Sequence, residues 1–218
     1  MKKHIICFGD SNTHGLCADV SDCADVALCR FNESERWTCL LQRELGAEYL
    51  VVEEGLSGRT TVFEDPLHEG MAGIGYIEPC LKSHEPVALL IIMLGTNDTK
   101  DRFAASAKCI ALGMERLIRK AQGVDCWGPD GKPNILVVCP PPIGAEVIHS
   151  EAGGTMGTGC AQKSVELPPL MRETAERLGC HYLDAAPCPF NRVDYMHLTR
   201  EGHAMLARML AKAIPTLS

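Results

Sequence analysis

The sequence predicts an α/β fold, a parallel sheet covered by helices on both faces, and three observations carry that reading. Five short runs rich in Val, Ile and Leu recur along the chain, mostly continuous rather than alternating, as strands buried on both sides require. Segments with helical spacing lie between them, so strand and helix alternate in the pattern that builds a parallel sheet. Each run stops at Gly, Pro or polar residues, which end strands and open loops.

The strands are expected at residues 4–8 (HIICF), 49–53 (YLVVE), 87–94 (VALLIIML), 134–139 (NILVVC) and 181–184 (HYLD). Between the first two, SERWTCLLQRELG reads as a helix with Ser34 as N-cap and Gly46 as its stop. Residues 71–84 carry a weaker helical pattern. Residues 103–123 place Ala107, Ile110, Ala111, Met114, Leu117 and Ile118 on one face of an amphipathic helix. In 160–179 the pair Pro168-Pro169 is expected to open a helix at its first turn. The last helix, 199–214, sets Met205, Leu206, Met209, Leu210 and Ala213 on one side. Residues 15–33, 62–70, 123–133 and 140–160 are irregular, and loops that long in a compact domain tend to be functional.

A chain of 218 residues with 46% hydrophobic content is long enough for one buried core, so residues 1–218 are expected to form a single domain. Its net charge of −7, with Lys and Arg scattered among the acids, offers no basic stripe for nucleic acid. No apolar run approaches the roughly 18 residues of a membrane span. Five apolar residues before Gly9 are too few for a signal peptide, so the chain reads as cytoplasmic. Its twelve cysteines are then expected to be reduced. In CADVSDCADVALC, Cys17, Cys23 and Cys29 fall six apart, a spacing that fits no common zinc frame and reads as a surface loop with free thiols.

In an open parallel sheet, ligands bind outside the carboxyl ends of the strands. The first strand delivers Gly9-Asp10-Ser11, the second leads to Ser57-Gly58-Arg59, and the third delivers Gly95-Thr96-Asn97-Asp98. The loop after the fifth carries Asp194 and His197 and lies on the same edge. Taken singly, each motif is an ordinary turn or cap. Together they suggest Ser11 as a nucleophile, His197 as the base that activates it and Asp194 as the group that orients the base. The Ser11 N–H, the Gly58 N–H and the Asn97 amide are candidate donors to an oxyanion. Ser57 is the rival nucleophile, while Asp10, Asp98 and Arg59 read as loop braces.

These residues resemble a known family. FGDSNTHG, the glycine of EEGLSGRTT, LGTND and DYMH are similar to the four signature blocks of the SGNH (GDSL-type) hydrolases, and VVEEGLSGRTT, IIMLGTNDTK and ALGME resemble the bacterial arylesterase and acyltransferase branch. The resemblance spans about residues 4 to 213. It implies a three-layer α/β/α sandwich, flavodoxin-like, on a central five-stranded parallel sheet, with no cofactor and no metal. It implies Ser11, Asp194 and His197 as catalytic residues, with Ser11, Gly58 and Asn97 as the oxyanion hole. Asn12 stands where the family name has leucine and is expected to alter the substrate pocket, while His14, near the nucleophile, reads equally as a pocket residue or as an exposed bystander. The activity implied is a serine esterase that cleaves short-chain, acetyl-type esters of aryl, alkyl or sugar alcohols. It passes the acyl group to water or to an alcohol acceptor, and a homo-oligomer is implied as well. The alternative is a non-catalytic module holding a small anion or nucleotide near Ser11, although no phosphate-binding glycine motif is present.

Overall fold

The computed structural model describes residues 1–24 and 29–217. Five strands, β1 (Lys3–Gly9), β2 (Tyr49–Gly55), β3 (Val87–Met93), β4 (Ile135–Cys139) and β5 (His181–Asp184), form one sheet. All neighbours are parallel, in the order β2-β1-β3-β4-β5. The helices are α1 (Ser11–His14), α2 (Trp37–Leu45), α3 (Gly73–Ser83), α4 (Ala107–Gln122), α5 (Gly153–Met156), α6 (Cys160–Arg177) and α7 (Arg200–Ala213).

Side-chain alternation divides the continuous apolar strands between two cores. Ile6, Phe8, Leu90, Ile92, Ile135 and Val137 face α3, α4 and α6. Ile5, Cys7, Leu89, Ile91, Leu136 and Val138 face α2 and α7, where Trp37, Leu41, Leu206 and Leu210 cover them. The result is the three-layer α/β/α sandwich. Its five strands match the five apolar runs; β1, β3 and β4 are buried along most of their length, whereas the edge strands β2 and β5 are half-buried and carry shorter apolar runs.

Helix boundaries differ from the sequence reading in three places, the first being α4, which starts at Ala107 behind its N-cap Ser106 and not at residue 103. Ser34 does not cap α2; its N–H and hydroxyl both bond Asn32 Oδ1 in the preceding turn, and the helix begins at Trp37. Pro168 and Pro169 do not open a helix but lie inside α6, which starts at Cys160. Their missing N–H groups are outweighed by a buried stripe, Cys160, Ser164, Leu167, Met171 and Ala175, that runs past them along the sheet. The 17–29 cysteine loop also departs from a surface loop of thiols: Cys17 and Cys23 are buried with Phe31, and only Cys29 is exposed. Part of its second CADV repeat, Asp25 and Val26, lies outside the described residues.

What positions Ser11 is the register at the sheet's carboxyl edge. Gly9 is level with Gly55 on one side and Met93 on the other, so three strand ends stop together. The chain then turns at once into α1, capped by Asp10, whose Oδ1 accepts the Asn12 N–H at 2.9 Å. Gly15, at φ +88°, closes the turn in the left-handed region. This turn sits directly on the end of β2: a Cβ on Gly55 would fall 2.2 Å from the His14 nitrogen and 2.5 Å from the Thr13 carbonyl carbon. Both are backbone atoms that cannot rotate away.

Gly55→Ala is therefore expected to push α1 off the sheet and to destabilise the protein by about 3 kcal/mol or more. Urea titration of the two proteins checks this, and an unchanged midpoint would show that the close approach is not obligatory.

Candidate active site

Ser11 is the first residue of α1, which puts its hydroxyl at the carboxyl edge of the sheet and leaves its N–H without a helical acceptor. From the loop between β5 and α7, His197 reaches over this edge, and its Nε2 lies 2.7 Å from Ser11 Oγ. On the other side of the ring, Nδ1 lies 2.5 Å from Asp194 Oδ2. The tautomer that satisfies both contacts carries the proton on Nδ1, leaving Nε2 to accept from serine. Burial pushes the Asp194 carboxyl up, but the His197 ring together with the His197 and Met196 N–H groups outweigh it and hold the pKa at about 2. Asp194 is thus a fixed negative charge at neutral pH.

A residue that sequence reasoning missed organises this loop. Asn191 Oδ1 accepts the N–H groups of Val193 at 2.8 Å and Asp194 at 2.9 Å. Its Nδ2 donates to Asp194 Oδ1 at 2.9 Å and to the His197 carbonyl at 2.8 Å. The only available signal was an asparagine three residues before the acid, a residue type that commonly bonds the backbone two positions on. Between Asp194 and His197, Tyr195 adopts φ +61°, and its carbonyl accepts the Gly144 N–H at 2.8 Å.

Asn12 and His14 are not where the pocket reading placed them. Asn12 is buried, and its side chain brackets His197, donating to the Met196 carbonyl at 3.3 Å and accepting the Leu198 N–H at 2.9 Å. A leucine could make neither bond, so the substitution is one of loop anchoring rather than pocket shape. His14 ends α1 on the side facing β2 and Arg30, whose Nε donates to its carbonyl at 2.7 Å. Burial lowers the pKa of its ring. Neither residue lines the cavity in front of Ser11.

That cavity, of about 510 Å³, is lined by Ser11, Gly58, Asn97, Asp194 and His197, with apolar walls from Leu16, Val20, Ala152, Met156, Val193 and Met196. Both long irregular segments, 15–33 and 140–160, thus serve as its walls. Asn97 Nδ2 donates one hydrogen to the Arg59 carbonyl at 3.2 Å, which leaves the second for a ligand. Gly58, at φ +91°, forms the turn between β2 and that carbonyl. Ser57 also lines the cavity, but His197 Nε2 is engaged by Ser11.

Behind the cavity, buried Arg59 spans the strand ends. Its guanidinium donates to the Gly9 carbonyl at 3.0 Å and to the Glu54 carbonyl, and it stacks on Phe8 at 4.2 Å from the ring centre. Asp98 accepts the Thr61 N–H at 2.9 Å and the Thr61 hydroxyl, which joins the Asn97 turn to the segment after Arg59. Asp10 and Asp98 therefore do brace loops, and burial pushes each up from 3.8 to about 6.

The sheet, covered by helices on both faces, and the polar cluster at the carboxyl end of its first strand define the class, a three-layer α/β protein with its site at the strand edge. The family model of the GDSL-like lipase/acylhydrolase family matches residues 7–205, and the chain belongs to that family. It is accordingly an enzyme that hydrolyses carboxylic esters. The chain is similar to the M. smegmatis aryl esterase, with 37% identity, a TM-score of 0.88, and coverage of 99% of this chain and 100% of that one. It is also similar to Est24, a carbohydrate acetylesterase from Sinorhizobium meliloti, at 33% identity and a TM-score of 0.87 with full coverage of both. A lipolytic G-D-S-L protein from Veillonella parvula shares the fold at 17% identity, with a TM-score of 0.68 over 99% of this chain and 100% of that one. Among curated proteins there is no match. Among the described residues no helix is long and apolar enough to cross a membrane.

Replacing Asn191 by Ala removes four hydrogen bonds from the loop and frees the His197 ring to drift. Steady-state ester hydrolysis should show kcat lowered by about 100-fold with KM little changed, since a misplacement near 1 Å costs that much. An unaltered kcat would make Asn191 a bystander. A second expectation concerns pH. Folded Asp98 holds its proton to about pH 6, whereas the ordinary value is 3.8. The stability this confers is full below the lower value and is lost as pH rises through the higher one. Relative to Asp98→Asn, which mimics the protonated acid, the wild type should lose on the order of 2 kcal/mol between about pH 4 and pH 7. Denaturant titrations across that range check it, and parallel curves would refute it.

Proposed function

We propose that the enzyme is a serine esterase in which Ser11 attacks the ester carbonyl, His197 takes the serine proton, and Asp194 stabilises the imidazolium without being protonated itself. The observation that carries this reading is the unbroken chain from Ser11 Oγ to His197 Nε2 at 2.7 Å and from His197 Nδ1 to Asp194 Oδ2 at 2.5 Å. The tetrahedral oxyanion takes hydrogen bonds from the N–H groups of Ser11 and Gly58 and from Asn97 Nδ2. His197 then returns its proton to the leaving alcohol, which departs and leaves an acyl-Ser11. Water, or a second alcohol, attacks this ester as His197 removes its proton; the acyl–Oγ bond then breaks, the acid or new ester leaves, and His197 returns the proton to Ser11 Oγ.

For substrate, we read short acyl groups, acetyl above all, on aryl, alkyl or sugar alcohols. The support is twofold: the described likeness to an aryl esterase and a carbohydrate acetylesterase, and a cavity whose walls are mostly apolar around a small polar centre. Transfer to an alcohol competes with hydrolysis wherever those apolar walls concentrate the alcohol over water. The rival reading, a binding module without chemistry, leaves the Ser11, His197 and Asp194 chain without a purpose.

Hydrolysis of p-nitrophenyl acetate tests the reading. Ser11→Ala should lower kcat by about ten-thousandfold or more, and Asn97→Ala by about 100- to 1,000-fold, with both variants folded. A serine-directed phosphonate should label Ser11 in the wild type. Full activity in Ser11→Ala would pass the nucleophile's role to Ser57 and end the proposal.

A further inference from the structure

Outside the catalytic cavity, Glu54, Cys80 and His84 bring a carboxylate oxygen, a thiol sulfur and a ring nitrogen within 4.8 Å of one another. Glu54 is the penultimate residue of β2, on the edge of the sheet. Cys80 lies in the last turns of α3, and His84 follows at i+4, the helix C-cap, so both project from one face of the helix toward that edge. None of the three lines the cavity in front of Ser11.

We propose that this cluster is a binding site for a single divalent cation of borderline softness, of which zinc is the type. The donor set argues for that class: one thiolate, one imidazole and one carboxylate suit zinc or cobalt, whereas calcium and magnesium take oxygen. The geometry is near what the ion needs. Bonds of about 2.0 Å at tetrahedral angles set oxygen and nitrogen ligands about 3.3 Å apart, and Glu54 Oε1 lies 2.9 Å from His84 Nε2. To seat the ion, Glu54 and His84 part by a few tenths of an ångström and the Cys80 sulfur, in a trio that spans 4.8 Å, closes on them by about 1 Å. Access is one-sided: the Cys80 side is buried in the core between β2 and α3, while the Glu54 and His84 side chains are 16% and 29% exposed. Three protein ligands with an open outer face leave the fourth position to water.

The surroundings hold the ligands in place. His4 Nδ1 bonds the His84 carbonyl at 2.8 Å, and the Arg59 guanidinium holds the Glu54 carbonyl, so the backbone at both ligands is anchored. The charges of the ligands match the ion: the Glu54 carboxylate and a Cys80 thiolate together balance a divalent cation, and Arg59 leaves one positive charge beside the site. In the metal-free protein, Cys80 and His84 both hydrogen-bond the Glu54 carboxylate. On binding, the Cys80 thiol releases its proton to solvent, and the His84 proton resides on Nδ1 while Nε2 turns its lone pair to the ion. The metal thus takes the place of the two protons that the trio now shares.

Cobalt(II) is the probe, because a thiolate ligand gives a near-ultraviolet charge-transfer band and a tetrahedral site gives intense visible absorption. Titration of the reduced protein should develop both, saturate at one ion per chain and be reversed by zinc. Cys80→Ser should abolish the ultraviolet band. His84→Ala and Glu54→Gln, both at partly exposed positions, should weaken binding by about tenfold or more, and they keep the test decisive if Cys80→Ser does not fold. No band at one equivalent, or a band unchanged in Cys80→Ser or in His84→Ala, would assign the cluster to hydrogen bonding alone and overturn the proposal.

Discussion

Everything about the position of Ser11 depends on a contact that admits no side chain. The end of β2 lies against the backbone of α1, and Gly55 is the residue that makes the approach possible. Gly9 answers it from β1, where a Cβ would lie 2.0 Å from Thr13 Oγ1. With two glycines level in adjacent strands, the chain can leave the sheet and enter a one-turn helix without a spacer. Ser11 consequently inherits the rigidity of a buried parallel sheet rather than the mobility of a loop.

His197 has no such scaffold, since it comes from a loop, and it is held instead by saturating the loop's polar groups. Asn191 on the inside and Asn12 from the opposite end of the chain together bond the backbone at Val193, Asp194, Met196, His197 and Leu198. Where such a group is buried and has no second partner, as at the Asp194 and Leu198 N–H groups, leaving it unpaired would cost about 1–3 kcal/mol. The ring is thereby fixed between a permanent anion and the serine hydroxyl, the arrangement general-base catalysis requires. Arg59 plays the corresponding part for the donors, since one buried side chain joins the ends of β1 and β2 while its carbonyl orients the Asn97 amide.

The central strands β1, β3 and β4 were legible because a strand covered on both faces has few polar positions, and the half-buried edge strands β2 and β5 by their short apolar runs. The catalytic candidates were legible because Ser11, Gly58, Asn97, Asp194 and His197 all follow strand ends that the parallel topology brings to one edge. The helix starts were less so. Ser34 has the chemistry of an N-cap but is drawn into a turn by Asn32, and the α6 prolines break a local rule that a long buried stripe overrides. Asn12 misled because its position beside the nucleophile suggested the pocket, whereas its partners lie 184 and 186 residues away.

By itself, then, the sequence determined the sheet, the layering and which residues stand at its reactive edge, because periodicity and strand ends are local properties of the chain. Only the tertiary structure decided what Asn12, Asn191 and Arg59 do, which loops wall the cavity, and that Glu54 meets Cys80 and His84. These are matters of hydrogen bonding and proximity between segments far apart in sequence, and such contacts exist only once packing has chosen which loops come together.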